Sequence, residues 1–207
     1  MAAFLVTFLT VLCFNLGSTK HVPISDCYIP DRAQLEGKLD ELIKRLPNDY
    51  MTTQTEMQII PGSIVLGEGT LYGLDHLEQD RPYKTFCRGE DTVTVFSVFV
   101  GYGFGLIVPW TLSSGLNGTI VFKAGFVRFE GELVATKTGA CTKYRINYVI
   151  PVVLEEMELG MSGGGEMLSK IAEALGFIMP GLLKKMWVRG IAGFVGMAFQ
   201  QVLEELN

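Results

Sequence analysis

Two consecutive segments in the second half of the chain, 119–136 and 141–159, alternate apolar and polar residues over unusually long stretches. Each holds about 18 residues and would extend roughly 60 Å as a strand. Ordinary strands hold five or six residues. We expect such strands to form one large, highly twisted antiparallel sheet, which needs an equally long element to cover its apolar face.

Shorter β segments precede the two long ones. A β region begins at Met57, a short strand is predicted over 83–87, and two more are predicted over 92–100 and 104–112. Gly101-Tyr102-Gly103 predicts a tight hairpin between the last two. Pro109 and Pro151 cannot donate ladder hydrogen bonds, so we expect them at bulges or edges.

The end of the chain carries a helical pattern. Apolar residues recur there at three- and four-residue steps. Proline breaks a helix, so Pro180 predicts a short helix up to about Leu175, a kink, and a long helix over 181–206. Gly190, Gly193 and Gly196 lie within the long helix and should destabilise it in isolation. We expect another backbone to pack closely against these glycines, in preference to a ligand.

A second helix is predicted near the start of the chain. Asp31 can cap it, and a regular apolar stripe follows. Pro47 and Asn48 end it. The stripe predicts an amphipathic helix whose apolar side faces the core; its residues are Leu35, Leu39, Leu42, Ile43 and Leu46.

Residues 1–18 read as a secretory signal peptide, since an apolar run over 4–16 is followed by Gly17 and Ser18. The sequence thus predicts a secreted, extracellular protein with one domain over 19–207. Asn117-Gly118-Thr119 is an acceptor for N-glycosylation in a predicted turn.

The cysteine count changes when the signal is removed. Cys13 leaves with the signal, and Cys27, Cys87 and Cys141 remain. An odd number in an oxidising compartment predicts one disulfide and one further thiol. The spacings alone leave the pairing open.

Catalytic and metal-binding patterns are missing from the sequence. His21 and His76 are the two histidines, and neither accompanies a nucleophile motif or a set of metal ligands. We therefore predict no enzymatic activity, no cofactor and no metal. A net charge of −5 without a basic cluster argues against a nucleic-acid partner.

Apolar residues make up 48% of the chain, and the mean hydropathy is +0.31. Such a surplus favours a carrier of a lipid or another apolar small molecule, although the side chains could also simply pack on one another. The alternative is a protein-interaction module, or one that binds membranes or bacterial surfaces. It predicts vesicle binding that weakens when Lys184, Lys185 and Arg189 are neutralised together. The oligomeric state is not predicted.

The order of these elements resembles a known group of proteins. The likeness lies in the Gly73-Leu74 bend, in 92–112, and in the helix end Phe199-Gln200-Gln201-Val202-Leu203-Glu204-Glu205-Leu206. On these residues the chain is similar to the group-seven mite allergens of the tubular lipid-binding superfamily, with bactericidal permeability-increasing protein and the juvenile-hormone-binding carriers. The resemblance implies an α+β fold in which a long, highly twisted antiparallel meander wraps around the C-terminal helix.

The same resemblance implies an apolar groove between sheet and helix. Its wall would come from alternate strand residues and its floor from the helix. The implied residues are Leu106, Val108, Trp110, Phe122, Phe126, Ile146, Tyr148 and Ile150 for the wall, and Leu182, Met186 and Phe194 for the floor. With the first helix antiparallel to the first strand, Cys27 and the turn after Cys87 lie at one end, which predicts a Cys27–Cys87 disulfide.

Overall fold

The computed structural model describes residues 32–52, 57–60, 64–139, 141–163 and 180–206. Helix α1 is Arg32–Lys44 and helix α2 is Pro180–Leu206. Leu35, Leu39 and Leu42 of α1 are buried, which confirms the predicted stripe. The predicted start of the long helix beside Pro180 is also confirmed. The signal peptide, Cys27 and the predicted short helix before Pro180 lie outside the described residues.

Ten strands form a single antiparallel sheet in the described part of the chain. The short strands are β1 (Asp49–Met51), β2 (Met57–Ile60), β3 (Ile64–Leu66), β4 (Thr70–Tyr72), β5 (Glu78–Gln79) and β6 (Lys84–Arg88). The long strands are β7 (Asp91–Val100), β8 (Phe104–Leu112), β9 (Asn117–Thr138) and β10 (Cys141–Ser162). The predicted α+β class, with an antiparallel sheet and a helix at each end, is thus confirmed.

Strand β9 is the centre of the sheet. It pairs with β10 along one side, and with both β7 and β8 along the other. β5 and β6 pair with β7, β3 and β4 pair with β8, and β1 and β2 extend the sheet through β4 and β3. The pairing makes β9 and β10, 22 residues each, the frame on which all other strands are placed.

The predicted hairpin at Gly101-Tyr102-Gly103 is wrong. β7 and β8 both run antiparallel to β9, so they point the same way and follow one another along it. Val100 pairs with Val127 and Phe104 with Ala124, which sets three residues of this segment against two of β9. The glycines allow the extra residue to be accommodated as a bulge-like break, in which Gly103 has a φ of 97°.

Both prolines lie where a missing donor is tolerated, as predicted. The carbonyl of Pro109 accepts a hydrogen bond from the Gly67 N–H at 2.9 Å, at the gap between β3 and β4. Pro151 begins a register shift in the β9–β10 ladder. Each position interrupts regular pairing, as expected for proline in a sheet.

The core lies between α2 and the sheet. Phe199 of α2 stacks on Phe96 of β7 with 5.7 Å between ring centroids. The α2 side chains that are fully buried here are Ile191, Val195, Ala198, Phe199 and Leu203. Gln200 reaches the sheet as well, because its Oε1 accepts the Ile146 N–H at 3.0 Å. These contacts anchor the second half of α2 firmly on the sheet.

The expected close packing at the α2 glycines is wrong. Gly190 and Gly193 are exposed and Gly196 is partly buried. Apart from the helix's own backbone, a methyl group added at any of the three would meet no atom of the described residues within 4 Å. The glycines lie on a side of α2 that the described sheet does not cover. Among the described residues, no helix combines the length and the apolar composition that crossing a bilayer requires.

Candidate functional site

The sheet carries a continuous apolar surface on the side that faces α2, at the end formed by β8 and its partners. Cross-strand pairing puts Leu106, Phe122 and Leu159 in one row. The rows on either side are apolar too. We call this surface the distal apolar face: Phe104, Leu106, Val108, Trp110, Ile120, Phe122, Ala124, Met157, Leu159 and Met161.

Burial changes across the distal apolar face. Its β8 members and Ala124 are buried. The others, on β9 and β10, are only partly buried: Ile120, Phe122, Met157, Leu159 and Met161. The main core cluster takes in Phe122 and Met157 at its margin and does not extend to Ile120, Leu159 or Met161. The face therefore continues beyond the packed core with apolar side chains that still reach solvent.

A change of face explains why Phe126 is not part of this surface. Ala124 and Val127 both belong to the core, although they are three residues apart and regular alternation would place them on opposite sides. The irregularity lies at Gly125 and at Glu156, which has a positive φ of 52°. Phe126 therefore points to the opposite side, where it stacks on Phe99 at 5.9 Å.

A bulge in β10 turns two further predicted residues away from the side of the sheet that faces α2. The register shifts between Ile146 and Tyr148, so Asn147 is an extra residue. Val149 is 2% exposed and joins the core, whereas Tyr148 and Ile150 are 36% and 42% exposed on the outer side. Placing Tyr148 and Ile150 on the groove wall was wrong, because the extra residue reverses the side chains that follow it, up to the second register shift after Pro151.

The remaining predicted residues divide into three groups. Leu106, Val108, Trp110 and Phe122 come together on the distal apolar face. Ile146 and Phe194 are partly buried against the main core. Leu182 and Met186 lie in the first half of α2, where the structure does not describe their side chains. The side chains of Lys184, Lys185 and Arg189 are not described either. The ligand-binding role of all these residues stays a prediction.

Sequence reasoning missed the β10 side of this surface, formed by Met157, Leu159 and Met161. Their alternation is visible in the sequence, but it is out of phase with Ile146. Only the irregularities between them bring both sets to the side facing α2. The pairing of Leu159 with Phe122 and of Met161 with Ile120 shows the correct phase.

The indole nitrogen of Trp110 is the polar side-chain atom among the ten residues of the distal apolar face. Trp110 is 1% exposed, and its indole Nε1 has no hydrogen-bond partner among the described residues. Its neighbours across the ladder are Leu66 and Gly118, neither of which has a polar side chain. Almost all buried donors in native proteins are paired, so this N–H is exceptional.

The outer side of the sheet carries an ion-pair cluster instead. Arg88 donates to both carboxylate oxygens of buried Glu132, at 2.7 and 3.1 Å, and the Asn147 amide donates at 2.9 Å. The hydrogen bond from Arg88 lowers the pKa of Glu132 and outweighs the effect of burial. Because every oxygen is engaged with structural partners, the cluster ties β6, β9 and β10 together.

Two cavities are lined entirely by described residues. One, about 370 Å³, lies beside α1, where the Tyr83 hydroxyl donates to Asp40 at 2.6 Å. Burial raises the pKa of Tyr83, with the Asp40 hydrogen bond adding to it. The other, about 330 Å³, is lined by Tyr72, Glu156 and Glu158 and also by Phe104 and Ala124, two members of the distal apolar face. Within the described ranges, no three histidine, cysteine or acidic side chains are grouped as metal ligands.

The predicted glycosylation site and the cysteine left out of the predicted disulfide are both exposed. Asn117 is the first residue of β9, directly after a turn. Cys141 begins β10 and is a free thiol. It is therefore not bonded to Cys87. The Cys27–Cys87 disulfide and the glycosylation of Asn117 stay predictions.

Comparison with known proteins does not assign the chain to a family. No family model and no curated protein matches the sequence. Among solved structures, the chain is similar to one described as the crystal structure of lipopolysaccharide binding protein, with a TM-score of 0.39 and 12% identity. The match covers 81% of this chain and 36% of that protein. This likeness is too slight to indicate a function.

Proposed function

We propose that the protein is a secreted, non-enzymatic carrier that holds a lipid or another apolar small molecule between the distal apolar face and α2. The observation that supports the proposal most is the partial burial of Ile120, Leu159 and Met161 beyond the edge of the packed core. Adjacent apolar side chains on paired strands form a surface patch of the kind that marks binding sites.

The interface between the sheet and α2 is packed more tightly at one end than at the other. Around Phe96 and Phe199 the side chains are fully buried and stacked, which leaves no room for a ligand. At the distal end, Phe122 and Met157 are only partly buried. The ligand is therefore assigned to the distal end.

The length of the distal apolar face along β8 indicates the length of the ligand that it can hold. From Phe104 to Trp110 the face extends roughly 20 Å along β8, which suits an extended acyl chain. Each methylene buried there contributes about 0.8 kcal/mol. Because association itself costs several kcal/mol, only a chain of many carbons binds well without further contacts. A medium- or long-chain lipid fits this requirement.

The experiment compares two neighbouring residues on opposite sides of β9. Ile120 belongs to the distal apolar face, and Val121 pairs with Ile107 on the outer side. Both are partly buried, so a carboxylate at either position should cost similar stability. Ile120→Glu should abolish uptake of a fluorescent fatty acid, because it sets a charge against the acyl chain. Val121→Glu should bind like the wild type.

Binding is measured by fluorescence titration of delipidated protein, and native protein is extracted and analysed by mass spectrometry. Circular dichroism shows whether each variant is folded. Equal loss of binding in folded Ile120→Glu and Val121→Glu would move the ligand away from this face. A wild-type protein that neither takes up the probe nor releases an apolar molecule would refute the carrier function.

A further inference from the structure

The indole N–H of Trp110 is a buried donor on the distal apolar face. Trp110 follows Leu106 and Val108 on the same side of β8, and its side chain is 1% exposed. Its Nε1 nevertheless has no hydrogen-bond partner in the described part of the chain. Water cannot reach the atom freely at this burial, so the N–H has lost its hydration without gaining an acceptor.

The surroundings explain why no acceptor is available. Across the ladder stand Leu66 of β3 and Gly118 of β9. At Gly118 there is no room for a side chain, because an added methyl group would lie 2.8 Å from the Gly163 Cα. The nearest members of the distal apolar face, Val108 and Ile120, are aliphatic. The ladder neighbours and the adjoining face thus offer the indole no side-chain acceptor.

A buried donor without a partner is unfavourable, and such groups in native proteins call for an explanation. A purely structural Trp110 would gain nothing from its nitrogen, since phenylalanine would fill an apolar site without it. An oxygen acceptor on a bound molecule would satisfy the N–H and fix the position of that molecule along the face. Apolar pockets orient ligands through few such polar groups.

We infer that the ligand of the distal apolar face carries an oxygen acceptor within its apolar body, such as an ester, ketone or carboxylic acid, and that Trp110 Nε1–H donates to it. This inference rests on the proposed carrier function. It narrows the ligand class from apolar molecules in general to acyl lipids and their relatives, and it makes Trp110 a specificity-determining residue.

The test uses two probes of equal chain length, methyl laurate and tetradecane, delivered from cyclodextrin to delipidated full-length protein. Trp110→Phe keeps an aromatic ring and removes the donor. It should weaken binding of methyl laurate about fivefold, the usual effect of one hydrogen bond, and leave tetradecane unchanged. Val108→Ala is the control: it removes apolar area only, so both probes should weaken equally.

Nuclear magnetic resonance gives a second measurement that does not depend on a variant's affinity. The indole N–H signal of Trp110, identified by its loss in Trp110→Phe, should move downfield when methyl laurate binds and stay in place with tetradecane. An unmoved signal, or equal weakening of both probes by Trp110→Phe, would overturn the inference and leave the carrier function standing. Failure of the wild type to bind either probe would refute the carrier function itself.

Discussion

Gly125 and Glu156 face one another across β9 and β10, and a methyl group added at Gly125 would lie 2.8 Å from Cβ of Glu156. Glu156 also has a positive φ of 52°. The two residues stand where the long strands change which side faces α2. Together they permit the distal apolar face to join the core.

The first prediction tests this pair. Gly125→Ala should lower the free energy of unfolding by about 2 kcal/mol, because the new methyl group overlaps Glu156. Glu156→Gly alone should change it by less than about 1 kcal/mol, since relief of the left-handed backbone offsets the added chain entropy. In the Glu156→Gly background, Gly125→Ala should lower the free energy of unfolding clearly less than it does in the wild type. Urea unfolding of the double-mutant cycle measures the coupling, and additive costs would contradict it.

The exposed glycines of α2 give a second prediction. Apart from the helix backbone, an alanine methyl group at Gly190 or Gly193 meets no atom within 4 Å in the part of the chain that the structure describes. Each substitution should therefore stabilise the protein by about 1 kcal/mol through helix propensity. Gly131→Ala is the contrasting variant. Its methyl group would lie 2.8 Å from Cε1 of Phe96, so it should destabilise the protein. Thermal unfolding compares the three, and destabilisation by Gly193→Ala would show that something does pack there.

The stacked pair Phe96–Phe199 gives a third prediction. Phe199→Ala removes a fully buried ring that holds α2 on β7 and should cost about 3–5 kcal/mol. Phe194→Ala, at a partly buried position of the same helix, should cost less than half as much. Chemical denaturation checks the order, and equal costs would mean that the stack of Phe199 on Phe96 is not the main anchor of α2.

Glu132 should make stability depend on pH. Its pKa is lowered chiefly by the hydrogen bond from Arg88, so its contribution is present above the ordinary carboxyl pKa of 4.5 and is lost as pH falls through the folded value. Glu132→Gln should be less stable than the wild type at pH 7, and the difference should shrink on acidification.

Urea titrations between pH 7 and pH 3 measure this difference. Glu130→Gln, two residues away on the same side of β9, is the control and should follow the wild-type curve. A constant gap between Glu132→Gln and the wild type at every pH would show that the carboxylate charge does not contribute.

The cysteines give the last prediction. Cys141 is exposed and free, so one thiol per chain should react with Ellman's reagent in the native protein. Peptide mapping without reduction should link Cys27 to Cys87. Two reactive thiols, or a link from Cys87 to Cys141, would contradict the predicted pair.

Much of the element pattern follows from local signals. The apolar steps from Leu35 to Leu42 and the proline at 180 predicted both described helices, and alternation predicted β8 with its observed ends. The wrong predictions about the strands share one cause. Gly101–Gly103, Gly125 with Glu156, and Asn147 each change the register or the face, and the sequence around them keeps its alternation.

The sequence by itself determined the two described helices and the long strands, because these elements depend on residues close together in the chain. Only the tertiary structure decided which side chains face α2. A strand's two sides differ only in what packs on them, and one extra residue against a neighbouring strand exchanges them. That is why Leu159 and Met161 lie on the distal apolar face, whereas Tyr148 and Ile150 lie on the outer side of the sheet.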